Sequence, residues 1–348
     1  MNDTFQLLKI YERSSREGSN SNIVPADVVH HFLLAICTHR GIGICFADNG
    51  WYPRQDNESE GTDREDRIHN KILAGVLKML KVSDDARQQE LAVRILQSCP
   101  ELAAGYLQFL SPMLEPRLSS GWLANVAFYS SIVSLPVPVE SFYLPSRTSS
   151  SKTKCDYRPV PPSLSVIVHN IFPSTLLKTH LTKALQSSHG IIQHAAGLLL
   201  ARCLNKYELV QDALRSVKSA LEEDDVGGKW ARRLTEIDRE IRRRVPELNV
   251  VIALSTAQQA VQQSSVKSAM LGELSHRLLW LYHRCIPSLV VEARYDVARS
   301  LRTTACIDDD NTCTGLEVLR LKRLQQLHIL RILTESDQFN WHSKPGEF

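Results

Sequence analysis

The eight cysteines of this 348-residue chain include no CxxC pair. That absence excludes the zinc-ribbon and thioredoxin-like motifs, which need two closely spaced thiolates. Cys203 stands beside Leu199 and Leu200 on an apolar helical face, where a thiol behaves as a small hydrophobe. Free buried thiols in a reducing compartment are expected, in preference to a disulfide frame or a zinc site. Long apolar runs are missing too. The opening MNDTFQLLKIYERSS has no signal-peptide core, and LNVVIAL at 248–254 falls far short of the ~20 residues that span a bilayer. An intracellular, soluble chain with no membrane contact is expected. Charge of one sign is also scarce: the net charge of +3 is nearly neutral for this size, so any basic surface must be local.

Catalytic patterns are absent as well. There is no GxSxG, Walker or kinase signature. Gly41 and Gly43 lack the third glycine of a phosphate loop, with no strand before them and no helix directly after, so GIGICF reads as a structural loop. Phe46, Trp51 and Tyr52 are expected to lie over the end of a helical stack. His30 and His31 are adjacent and point apart. His276 and His283 share a helical face near Cys285, but no glutamate completes an HExxH zinc pattern. The acidic loop ACIDDDNTCTG at 305–315 lacks the alternating ligands and closing glutamate of a calcium loop. No catalytic, cofactor-binding or metal-binding residue is assigned, no small-molecule substrate is implied, and the chain reads as a non-enzyme.

What the sequence does have is amphipathic helices. The hydrophobic fraction is 43%, enough for a substantial core. From Ser83 to Leu135 three short helical patterns are separated by prolines. Leu91/Ala92 and Ile95/Leu96 stripe the first, which Ser83 is placed to cap. Leu102, Tyr106, Phe109 and Leu110 stripe the second, opened by Pro100 and stopped by Pro112 and Pro116. Trp122, Val126, Tyr129 and Val133 stripe the third. None can bury its stripe alone, so they must stack. Earlier helices are expected at 4–16, from Pro25 (with Val28, Val29, Phe32, Leu33 and Ile36), and at 64–80. Six prolines between 136 and 163 and a Ser/Thr/Lys cluster at 146–154 read as a linker, mobile at 146–156. Helix pairing resumes after it. Ser174 can cap a helix bearing Leu177, Leu181 and Leu185, and a turn at 187–190 leads to a second helix that runs on towards Leu221. Further helices are expected at about 247–263, 265–285, 288–302 and 315–335. The predicted fold is all-α, an α-solenoid of stacked antiparallel helix pairs of the HEAT or armadillo kind. Its expected parts are N-terminal repeats at 1–135, the linker at 136–163 and a second repeat segment at 164–348.

One helix is strongly basic. KWARRLTEIDREIRRRV, from Lys229 to Val245, puts Trp230, Leu234, Ile237 and Ile241 on one side. Arg232, Arg233, Arg239, Arg242, Arg243 and Arg244 surround Glu236, Asp238 and Glu240. Those six arginines are the candidate RNA-binding residues, set against a self-paired, solvated helix face.

Several stretches resemble a known family. QSCPELAAGYLQFLSPMLEPRLSSGWLANVAFYSSIV is similar to the N-terminal region of the nucleolar pre-ribosomal-associated protein 1 family, with LEPRLSSGWLANVAF (114–128) its most specific part. GIGICFADNGWYPR, NIFPSTLLKTHLTKALQSS and GLEVLRLKRLQQLHILRILTESDQFNW match in the same order, so the resemblance spans roughly residues 26–341. It implies a non-catalytic scaffold of the nucleus and nucleolus, acting in maturation of the large (60S) ribosomal subunit precursor. Its implied partners are ribosome-assembly proteins and pre-rRNA. Members of the family are far longer, so this sequence reads as an N-terminal portion or a truncated gene model. A generic helical-repeat adaptor for transport or complex assembly, without RNA contact, is the alternative.

Overall fold

The computed structural model describes residues 25–53, 68–144, 157–224, 227–260, 265–293, 297 and 315–335. Among these residues no strand forms, and Tyr143 and Tyr157 make an isolated antiparallel bridge. The helices are α1 Pro25–Thr38, α2 Lys71–Met79, α3 Ala86–Ser98, α4 Ala103–Leu110, α5 Ser120–Val133, α6 Leu164–His169, α7 Thr175–Leu185, α8 Gly190–Ala220, α9 Lys229–Arg244, α10 Leu248–Ala260, α11 Val266–Cys285, α12 Pro287–Glu292 and α13 Leu316–Glu335. The all-α class expected from the stripes is what the described residues adopt. The expected helix at 4–16 and the mobile stretch at 146–156 lie outside the described residues.

Two compact units divide the chain. The first takes Met1–Met113, Ala127–Pro173 and Val210–Ile237. Within it α1 packs on α3, burying Ala26, His30, Leu33 and Cys37 against Leu91, Ala92, Ile95 and Leu96. Polar bonds tie the same pair together: Arg87 Nε lies 2.7 Å from Asp27 Oδ1, and His30 Nε2 lies 3.3 Å from Glu90 Oε2. His30 is buried and His31 exposed, but the expected divergence is incomplete: their ring centroids lie 5.9 Å apart. Val28 and Phe32 face outward, 54% and 51% exposed, although both are apolar. The stripe that is buried runs i, i+4, i+7 through a histidine and a cysteine. The cap of α3 is Asp85, whose carboxylate accepts from Arg87 N–H at 2.9 Å, two residues later than the expected Ser83. Pro100 opens a single tight turn, Pro100–Leu102, before α4 begins at Ala103.

The GIGICF loop is anchored by polar side chains. Asn70 Oδ1 accepts from Phe46 N–H at 2.8 Å, and its amide donates to Phe46 C=O and to Glu101 Oε1. Gly43 has φ +69° and a Cβ there would meet Ile36 O at 2.6 Å, so only glycine fits the turn. Trp51 is buried against Phe142, as expected, whereas Phe46 is 53% exposed because only its backbone is held. Cys37, Cys45 and Cys99 are buried free thiols, and burial drives the Cys37 thiol up to about 12.

The second unit takes Leu114–Val126, Ser174–Leu209 and Asp238–Phe348. Its centre is α11, which packs against α10, α12 and α13 and is buried on most of its surface. Close approach requires small residues: a Cβ at Gly197 would lie 2.6 Å from Leu274 Cδ2, and one at Gly272 2.6 Å from Gln325 Nε2. Ser174 caps α7 as expected, accepting from Leu176 N–H at 3.1 Å. Trp122 is 5% exposed and its Nε1–H donates to Leu114 C=O at 3.1 Å. Of the expected 288–302 helix, Pro287–Glu292 is described and helical.

Candidate functional site

The basic helix α9 forms because its apolar residues recur at helical spacing. Trp230, Ile237 and Ile241 are fully buried, Val245 nearly so, and Leu234 half-buried. Glu223 accepts from the backbone N–H of Trp230 at 2.9 Å and of Ala231 at 3.4 Å, closing the N-terminal turn with a carboxylate that suits the helix dipole. Phe142 packs edge-on to Trp230 at 5.6 Å, and the indole Nε1–H donates to Arg158 C=O at 3.2 Å. Pro246 ends the helix, since the residue before a proline is pushed out of the α region.

The six arginines divide by surroundings. Arg233 and Arg244 are half-buried, lying 3.4 Å from Glu236 and 3.6 Å from Glu240 respectively. Arg243 is exposed and bonds Glu240 at 2.9 Å. Arg242 pairs with Glu292 of α12. Arg232 and Arg239 are exposed and form no ion pair among the described residues. Three carboxylates, Glu236, Glu240 and Glu292, therefore engage four of the six cations.

In the second unit, Arg239, Arg242 and Arg243 open onto a cleft of about 560 Å³. Lys178 of α7 joins them, its Nζ donating to Arg243 C=O at 3.4 Å across the exposed end of α9. The walls are Val245, Pro246, Leu248, Leu289 and Ala293, with Asn249, Glu247 and Glu292 completing the rim. Four cations face two carboxylates, and Arg242 and Arg243 are already paired with Glu292 and Glu240, which leaves Lys178 and Arg239 as the unpaired cations of the rim among the described residues. Among the described residues the cleft lining has no serine, cysteine or histidine to act as nucleophile or base, and no aromatic ring. Sequence reasoning found its arginines but missed Lys178 and Glu292, which come from helices distant in the chain and carry no local pattern.

The histidines of α11 serve packing. Glu273 Oε1 accepts from Arg277 Nε at 2.9 Å and from His328 Nε2 at 3.0 Å. Burial pushes the Glu273 carboxyl up, but the bonds from His328 and Arg277 outweigh it and hold the group below its usual range. His276 Nδ1–H donates to Gly272 C=O at 2.7 Å, and burial lowers its affinity for a second proton. No group of metal ligands occurs among the described residues.

Residues 4–125 match the family model described as ribosome 60S biogenesis, N-terminal. The chain is 28% identical over 246 residues to nucleolar pre-ribosomal-associated protein 1 of Saccharomyces cerevisiae, covering 68% of this chain. The chain is similar to that family over these residues. The mouse protein of that name is 23% identical over 316 residues, covering 84% of this chain. The chain spans 12% and 13% of the length of these two relatives. Among solved structures, an engineered protein aligns with 95% of this chain and 98% of its own at 15% identity and TM-score 0.35, too loose a likeness to carry an argument.

Proposed function

We propose that this chain is part of a non-catalytic scaffold in the nucleolus that helps assemble and mature the large ribosomal subunit precursor. The observation that carries this reading is the match of residues 4–125 to the 60S biogenesis family, joined to similarity with two nucleolar pre-ribosomal-associated proteins. The helices are read as stacked antiparallel pairs of an α-solenoid, an architecture that offers long surfaces to several partners. Assembly proteins are the principal partners. Pre-rRNA is a further one, met through Arg232, Arg233, Arg239, Arg242, Arg243 and Arg244, because a guanidinium keeps its charge and its planar fork matches phosphate. Arg232 and Arg239 dominate that contact, since carboxylates already engage the other four.

Affinity purification of the tagged chain from nucleolar extract is expected to recover large-subunit precursors together with assembly proteins. Recovery of neither would overturn the scaffold reading. Filter binding with structured ribosomal RNA separates a scaffold that touches RNA from an adaptor that does not. The pairing of four arginines favours the adaptor, and absence of RNA binding at low salt would select it.

A further inference from the structure

We propose that the cleft at the C-terminal end of α9 takes an acidic peptide segment with interspersed apolar residues, carried by an assembly protein. The inference deepens the scaffold reading and rests on it for the origin of the partner. Four cations, Lys178, Arg239, Arg242 and Arg243, surround a cavity of about 560 Å³ whose lining includes aliphatic side chains such as Leu289 and Ala293. That volume lies within the range of ordinary ligand sites, large enough for two or three side chains. Carboxylates would pair with the rim cations while a leucine or valine settles on Leu289 and its neighbours.

The alternative occupant is single-stranded RNA, which the same cations could hold by its phosphates. Affinity for single strands comes largely from bases stacked on aromatic side chains, and none lines this cleft among the described residues. A mixed lining of cations and aliphatic side chains suits an acidic peptide with apolar residues better. The rim itself shows how a carboxylate would be received. Arg242 already holds the carboxylate of Glu292, so the chain supplies one acid where an incoming acid would compete. Arg239 forms no ion pair among the described residues and is the first contact available to it.

The test is fluorescence anisotropy on the whole chain with a fluorescein-labelled peptide alternating Asp and Glu with Leu and Val. An otherwise identical peptide with Asn and Gln, and an oligouridine, serve as comparisons. The acidic peptide is expected to bind and the amide peptide not to. Combining Lys178→Gln with Arg239→Gln, neither of which removes a partner from a carboxylate, should weaken binding about tenfold with the helical circular dichroism unchanged. Glu292→Gln should tighten it several-fold by freeing Arg242, a gain that a merely structural role for Glu292 would not give. Oligouridine that binds the cleft more tightly than the peptide would assign it to RNA and overturn the proposal. So would peptide binding indifferent to both sets of substitutions. Binding seen only after Asp308→Asn, Asp309→Asn and Asp310→Asn would make the chain's own acidic run the occupant and overturn the external partner. If tagged chain still recovers large-subunit precursors while the acidic peptide fails to bind, the cleft assignment falls and the scaffold reading stands.

Discussion

Trp122 and His283 are large side chains of the second unit with opposite demands on their surroundings. The indole of Trp122 is 5% exposed and its one donor is satisfied by Leu114 C=O at 3.1 Å, so burial and hydrogen bonding agree. Trp122→Ala removes the ring and strands that carbonyl, and is expected to cost about 3–5 kcal/mol in chemical denaturation. A loss of a few tenths would show that the ring is not part of the core. His283 has the reverse problem. Its Nε2 makes no hydrogen bond among the described residues, and burial lowers its pKa from 6.5 to about 4. The unfolded imidazole takes up a proton near its ordinary value, whereas the folded one resists until about pH 4. Between those values the unfolded state binds more protons, so stability falls as the pH falls through that window. His283→Gln should reduce this acid sensitivity, read as a smaller shift of the urea midpoint between pH 6.5 and 4. Some sensitivity will remain, because His276 is shifted in the same direction and the lowered Glu273 adds its own loss in acid.

At the scale of the element, glycine separates intrinsic helix preference from packing. Gly75 lies mid-helix in α2, and a Cβ there meets nothing within 4 Å. Gly75→Ala should therefore stabilise the chain by about 0.5–1 kcal/mol, the usual helix-propensity gain. Gly197 in α8 offers the same intrinsic gain, but its Cβ would lie 2.6 Å from Leu274 Cδ2, and Leu274 is fully buried. Overpacking typically costs about 1–3 kcal/mol, so Gly197→Ala is expected to be net destabilising in thermal melts. If both substitutions raise Tm, α8 and α11 pack more loosely than that distance implies. The helices themselves were legible because stripes such as Trp230–Ile237–Ile241 repeat at 3.6 residues. Their faces were harder. In α1 the valine and phenylalanine at 28 and 32 looked like core, yet His30 and Cys37 are buried in their place. A histidine bonded to Glu90 can be buried, and apolar character alone does not reveal that bond. The cap of α3 slipped from Ser83 to Asp85 for a similar reason: serine and two aspartates in succession all fit the cap, and backbone geometry chooses.

For the molecule as a whole, the near-neutral charge means that any response to RNA depends on which cations remain available. The sequence placed six arginines on one helix, but it could not show that Glu292, 50 residues further on, would take Arg242, or that Lys178 would approach from 65 residues upstream. Such pairings depend on tertiary packing and have no local signature. They change what the cluster can do. An arginine already engaged with a carboxylate gains less from a phosphate, because the carboxylate must first be released into water. Replacing Arg232 and Arg239 by glutamine should therefore weaken binding to structured ribosomal RNA more than replacing Arg233 and Arg244, although each pair removes the same formal charge. Gln keeps most of the helix propensity, so α9 should persist in both variants. Removing one arginine–phosphate pair flattens the slope of log affinity against log salt by about 0.7–0.9, which gives about 1.4–1.8 for the exposed pair and much less for the paired one. Equal slopes in the two variants would mean that only summed charge matters. An unchanged slope in both would return α9 to a solvated face and leave proteins as the partners of this chain.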